Sequence, residues 1–198
     1  QVPENGKVAV NALATSNMNW EILEQKLIDK KIAVVDAPLL EEIWTNRNPD
    51  APKNPVFVHP VERAGKSVAE KLNDIRSKME EAGATVHIIS TLDDIAWTLN
   101  LRGSDVQSNP VFLSYIILTK NDAELFVDLE KLTVDARKQL DEAEVKMRPY
   151  EDFYTALGTI KNEKILISPN SNQSIFEHLK ASNTFIKAPV PGNLMKAV

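Results

Sequence analysis

The side chains of this chain that could do chemistry are few, and most have a local explanation. Asp93-Asp94 is a carboxylate pair of the kind that acid–base catalysis uses. Neighbours on a helix point to different faces, and both lie in a first turn whose dipole favours negative charge, so a helix-end role accounts for them. Glu80-Glu81 and Asp141-Glu142 are solvated helix charges by the same reasoning. His59, His87 and His178 form no i,i+4 pair and no H-E-x-x-H, and the chain has no cysteine to complete a zinc site. No catalytic set and no metal site is therefore expected in these residues. His87, between Val86 and Ile88, is expected on an exposed strand face. Ala64-Gly65-Lys66-Ser67 has the tail of a phosphate loop, but the position five residues before Gly65 is Pro60 where the motif needs glycine. An S-x-x-E capping box from Ser67 to Glu70 accounts for the serine instead. Trp97, Phe112 and Tyr115 fall at core spacings, and Asn172-Gln-Ser174 fits a glycosylation pattern that is frequent by chance.

Arg102, Asp105 and the loop they open, through Asn109, are harder to dismiss. One reading is a local clasp, with Arg102 bridging Asp105 or capping carbonyls at the end of its helix. The other is a guanidinium held out for a peptide carboxylate or carbonyl, or for a neighbouring domain. On that reading Arg102 is solvent-exposed and touches at most Asp105, and Arg102, Asp105 and Asn109 are candidates for a substrate site or domain contact.

The elements that would hold this loop are visible on both sides of it. Leu92, Ile95, Ala96 and Leu99 recur at helical spacing. Thr91 stands at the N-cap, and Gly103 could close the helix in the left-handed conformation. Val111 to Leu118 is a nearly continuous apolar run, as expected of a strand covered on both faces. Elsewhere strands are expected at Lys7–Val10, Lys31–Val35, Val56–Val58, Ala84–Ile89, Ala123–Asp128, Val145–Arg148, Lys164–Ile167 and Thr184–Ile186. Helices are expected from Asn19 (Trp20, Leu23, Leu27, Ile28), over Leu39–Trp44, after Ser67 (Leu72, Ile75, Met79, Ala82, closed by Gly83), over Thr133–Ala143, through Tyr150, Phe153, Leu157 and Ile160, and through Ile175, Phe176 and Leu179. Asn121-Asp122 makes a hairpin of the apolar strand and its successor. The pattern predicts an α/β fold, a mixed sheet flanked by helices. Residues 47–55, rich in proline and asparagine, read as a linker between a first domain ending in 1–46 and a second over 56–188, with 189–198 leading onward.

Composition bounds the rest. The 198 residues are 43% hydrophobic and 26% charged, with net charge −5 and the two signs interspersed. That balance suits a packed globular domain and argues against a nucleic-acid partner, which wants a concentrated basic face. No apolar run nears the roughly 20 residues of a membrane span. Residues 1–7 lack the basic and apolar regions of a signal peptide.

The string L-D-D-I-A-W-T-L-N-L-R-G-S-D-V-Q-S-N-P-V-F-L-S-Y, Leu92 to Tyr115, resembles the second, non-catalytic domain of the three-domain aminopeptidase P (Xaa-Pro aminopeptidase) family. Glu42-Ile-Trp44 with Arg47 is similar to its junction of first and second domains, and Lys196-Ala-Val198 to the entry into its third. The resemblance implies a creatinase/prolidase N-terminal fold of ribonuclease H-like topology. It implies a parent enzyme of the pita-bread metallopeptidases that removes an N-terminal residue preceding proline. It implies two divalent metal ions, manganese in the usual case, on two aspartates, a histidine and two glutamates beyond Val198, so none is inherited here. The fragment would be inactive alone, a cytoplasmic scaffold whose partners are a peptide with proline second, its own catalytic domain and a second copy. The alternative is a protein-binding module from a pita-bread relative that has lost peptidase activity.

Overall fold

The computed structural model describes residues 2–37, 39, 43, 44, 51–192 and 196. The expected helix over Leu39–Trp44, Arg47, and the ends of the expected linker and C-terminal segment lie wholly or largely outside these. The described chain forms two compact units, one of residues 1–50 with 169–181, the other of residues 51–168 with 182–198.

In the first unit, β1 (Lys7–Val10) pairs in parallel with β2 (Ala33–Asp36), in the register Lys7 to Ala33. Helix α1 (Asn17–Leu27) joins them. It begins two residues before Asn19 because Ser16 is the cap, its hydroxyl accepting from Asn19 N. Trp20 is buried as expected, whereas Ile28 is exposed in a 3-10 turn that follows. Lys31, expected to open the second strand, takes the left-handed conformation (φ 52°) that ends this turn, so pairing starts at Ala33. A further helix of this unit, Gln173–Leu179, is capped by Asn172, whose side chain accepts from Ile175 N at 3.1 Å.

The second unit is built on a six-stranded mixed sheet. Beyond the short strand β3 (Phe57–Val58) and the single-turn helix α2 (Val61–Ala64) runs α3 (Val68–Glu81), opened by the predicted Ser67/Glu70 capping box. Gly83 follows it at φ +70°. Then come β4 (Val86–Ile89), α4 (Leu92–Thr98), β5 (Leu101–Arg102), and the hairpin β6 (Ser114–Thr119) and β7 (Ala123–Val127). Helix α5 (Val134–Glu142), capped by Thr133, leads to β8 (Val145–Pro149). Helix α6 (Phe153–Leu157) stops before Ile160, and β9 (Lys164–Ile167) and β10 (Thr184–Lys187) complete the sheet. Its order is β10-β9-β4-β6-β7-β8, antiparallel at β4–β6 and β6–β7 and parallel elsewhere.

Strand alternation divides the apolar residues between the two faces. Ile89, Ile116, Leu118, Leu125, Val127 and Leu166 join Leu72 and Ile75 of α3, Ile95 and Leu99 of the α4 segment and Leu140 of α5 in the main core. Tyr115 and Phe126 point the other way, and Phe153 stacks on Tyr115 with ring centroids 3.9 Å apart. All four residues of β4 are buried. This corrects the expectation for His87. It lies in the core at 0% exposure, its Nδ1 donating to Leu166 O at 2.8 Å. A strand paired on both edges and covered on both faces leaves no exposed position. Burial pushes the His87 pKa down to about 4, against smaller upward pulls from the Leu166 hydrogen bond and Asp94.

Candidate functional site

Gly103 does not end α4. The helix stops at Thr98, and Asn100 takes the left-handed turn at φ 49°, a conformation asparagine tolerates better than most residues. Thr91 is the N-cap residue, but its hydroxyl donates to the Asp94 carboxylate rather than accepting from the helix backbone. Asp94 is fully buried and ion-paired to Lys196, which also reaches Asp93 at 2.9 Å. The acidic pair is therefore a clamp on a lysine.

Asn100 organises what lies beside it. It is 2% exposed, and its side chain accepts from Lys71 Nζ at 2.7 Å and donates to Lys66 O at 2.8 Å. Its carbonyl accepts from His59 N at 2.8 Å, which ties the segment before α2 to the end of α4. Lys71, on α3, is also 2% exposed. Its ammonium donates to Trp97 O at 2.9 Å and sits 4.3 Å from the centre of the Trp97 ring. Two acceptors and a ring face satisfy the group without any carboxylate. Burial first, then Arg102 and Lys66, push its pKa down to about 8.

Arg102 is half-buried rather than free. Its Nη1 donates to Ala96 O at 3.0 Å and Leu101 O at 2.8 Å, capping the end of α4, and burial lowers its pKa. With His59, Arg63, Lys66, Asp74, Trp97 and Lys71 it lines a cleft of 570 Å³. His59 is held below its ordinary pKa by burial, then by Arg102, Arg63 and Lys71, the signature of a positive neighbourhood.

Asp105 belongs elsewhere. Its side chain is 0% exposed, paired with the equally buried Lys131, and accepts from Leu113 N at 2.7 Å. No Arg102–Asp105 clasp forms among the described residues; the loop is clasped through Lys131 instead. Gly103 N and Asp105 N donate to Pro110 O and Val111 O, so the base of the loop is held by main chain while Val106 to Asn109 stay exposed. Gly103 is needed for close approach, since a Cβ there would lie 2.8 Å from Phe112 Cβ.

Of the three sequence candidates, the fold thus brings only Arg102 to a cleft. Its neighbours Lys71 and Asn100 were not singled out from sequence, although Lys71 carried a signal. It falls on the apolar stripe Val68, Leu72, Ile75, where a charge is out of place. Among the described residues no three His, Asp or Glu side chains come together as metal ligands, so a metal pair does not fit the donors present.

The family profile of the Creatinase/Prolidase N-terminal domain matches residues 47–198. The chain belongs to that family. This creatinase/prolidase N-terminal domain is 40% identical over 182 residues to a "Probable Xaa-Pro aminopeptidase P" of Arthroderma gypseum, covering 90% of this chain and 28% of the relative. It is 33% identical over 183 residues to "Aminopeptidase P2" of Arabidopsis thaliana, covering 89% and 26%. The chain thus spans about a quarter of the length of these relatives. An X-prolyl aminopeptidase of Caenorhabditis elegans, described as a cytosolic enzyme with a di-nuclear active site, shares the fold of the creatinase/prolidase N-terminal domain. The superposition has a TM-score of 0.85 at 23% identity, over 96% of this chain and 32% of that one.

Proposed function

We propose that this chain is the non-catalytic part of a metal-dependent Xaa-Pro aminopeptidase, a scaffold that shapes access to an active site carried elsewhere in the protein. The observation that carries the reading is the match to relatives named "Probable Xaa-Pro aminopeptidase P" that are several times longer than the matched region. The parent acts on peptides with proline second, with two divalent metal ions in a catalytic domain, in the cytosol and as a dimer. Residues 1–46 close a first domain, 56–188 form the second except that 169–181 group with the first, and the stretch from 189 leads to the catalytic domain. Arg102 serves as a domain contact or outer substrate contact. Asp105 keeps the loop in place from beneath, and Asn109 faces outward at its end.

The test compares this chain with the longer protein on an Xaa-Pro peptide. The longer protein, loaded with manganese, should release the residue before proline, whereas this chain should release none and bind no manganese stoichiometrically by calorimetry. A metal-loaded longer protein with no such activity would overturn the reading, as would a peptidase or a stoichiometric metal site in the 198 residues alone.

A further inference from the structure

We infer that the cleft between α2, α3 and the end of α4 is a binding site for a carboxylate group, with the Arg102 guanidinium as its contact and Lys71 as its buried charge. Charge balance is the first argument. Lys66 is paired with Asp74 at 2.7 Å, and Lys196 with Asp93 and Asp94. Arg63, Lys71 and Arg102 have no carboxylate partner among the described residues, and all three line the cleft. Cations that are partly desolvated side by side raise one another's free energy, and an anion in their midst recovers it.

Geometry narrows the anion. Both hydrogen bonds of Arg102 to the described residues leave from Nη1, so two backbone carbonyls fix the guanidinium plane. Among the described residues its Nε and Nη2 have no hydrogen-bond partner. Those two N–H groups form the parallel edge that grips a carboxylate through both oxygens. A preset plane loses little freedom on binding. Lys71 cannot itself be reached, being 2% exposed with its ammonium already satisfied, but its charge beside a low-dielectric wall acts on whatever Arg102 holds. Arg63, an exposed residue of the cleft lining, adds a third cation. The carboxylate can come from a free small acid or from an Asp or Glu side chain of a longer protein of which this chain is a part.

The experiment follows the Lys71 side chain by carbon-13 NMR in a pH titration of the 198-residue chain, with acetate or citrate against chloride at matched ionic strength. Carboxylate should raise the Lys71 titration midpoint in a saturable way, and chloride should not. Arg63→Gln, at an exposed position, should weaken that saturation several-fold, and Arg102→Gln should weaken it by about tenfold or more. In the longer protein, a midpoint already raised and indifferent to added acid identifies an internal carboxylate. A midpoint still moved by added acid identifies a free ligand. The inference is overturned if carboxylate shifts Lys71 no more than chloride in this chain, or if Arg102→Gln leaves the saturation unchanged.

Discussion

Buried charges are the most consequential single residues of the second unit, and each is held differently. Asp105 and Lys131 pair with one another out of water, and Asp105 Oδ2 also accepts from Leu113 N. Removing one partner of such a pair leaves the other charge stranded, which costs on the order of 3–5 kcal/mol. Asp105→Ala should lower unfolding free energy by that amount in urea titration. A loss below about 1 kcal/mol, the scale of an exposed pair, would mean that the two charges are solvated after all. Arg102 is a milder case. Two hydrogen bonds from a charged donor to backbone make Arg102→Ala worth about 1.5–3 kcal/mol, more than the surface scale that an exposed arginine would imply.

His87 gives the residue scale its pH dependence. Its folded pKa of about 4 lies below the ordinary value of 6.5, so the unfolded chain takes up the proton first. Stability from this group is therefore complete above pH 6.5, falls as pH drops through the window from 6.5 to 4, and levels off below it. The total is on the order of 3 kcal/mol. Measured as the difference between the parent chain and His87→Leu, the slope should be confined to that window. Equal slopes in both proteins would show that His87 protonates without penalty in the fold.

Elements were legible where a rule of local chemistry acted alone. Ser67 and Glu70 cap α3 reciprocally, and Ser67→Ala should cost about 1 kcal/mol by thermal or chemical denaturation. The hairpin at Asn121-Asp122, the strand at Lys164–Ile167 and the helix capped by Thr133 are likewise where periodicity and turn chemistry placed them. Legibility ended where two residues could fill one role, or where a partner lay far along the chain. Asn100 and Gly103 could each end α4, and only the packing of Gly103 against Phe112 shows that its lack of a side chain is used for space. Gly103→Ala should then cost about 1–3 kcal/mol as an overpacked contact, even though no left-handed conformation is involved. The pairing of β5 with β3, and of Asp105 with Lys131, join residues tens of positions apart. No local pattern announces them. The cleft shares that blindness, since it is assembled from α2, α3 and the end of α4, and its central Lys71 looks like an interruption of a stripe until Asn100 and Trp97 are seen around it.

At the scale of the molecule, the two units differ in how well they protect their backbones. The sheet of the second unit has a fully buried central strand, β4, paired on both edges. Among the described residues the sheet of the first unit has two strands, and neither β1 nor β2 contains a buried residue. A two-stranded sheet is marginal in water, and an open strand edge is a template for another strand. Hydrogen exchange should therefore release the amides of Lys7–Val10 and Ala33–Asp36 well before those of Val86–Ile89 and Ser114–Thr119, through local opening rather than global unfolding. If the first unit is part of a larger sheet in a longer protein, the same amides should slow there while those of β4 change little. Slow exchange of Lys7–Val10 in a strict monomer of this chain, matching β4, would show that the small sheet is already complete.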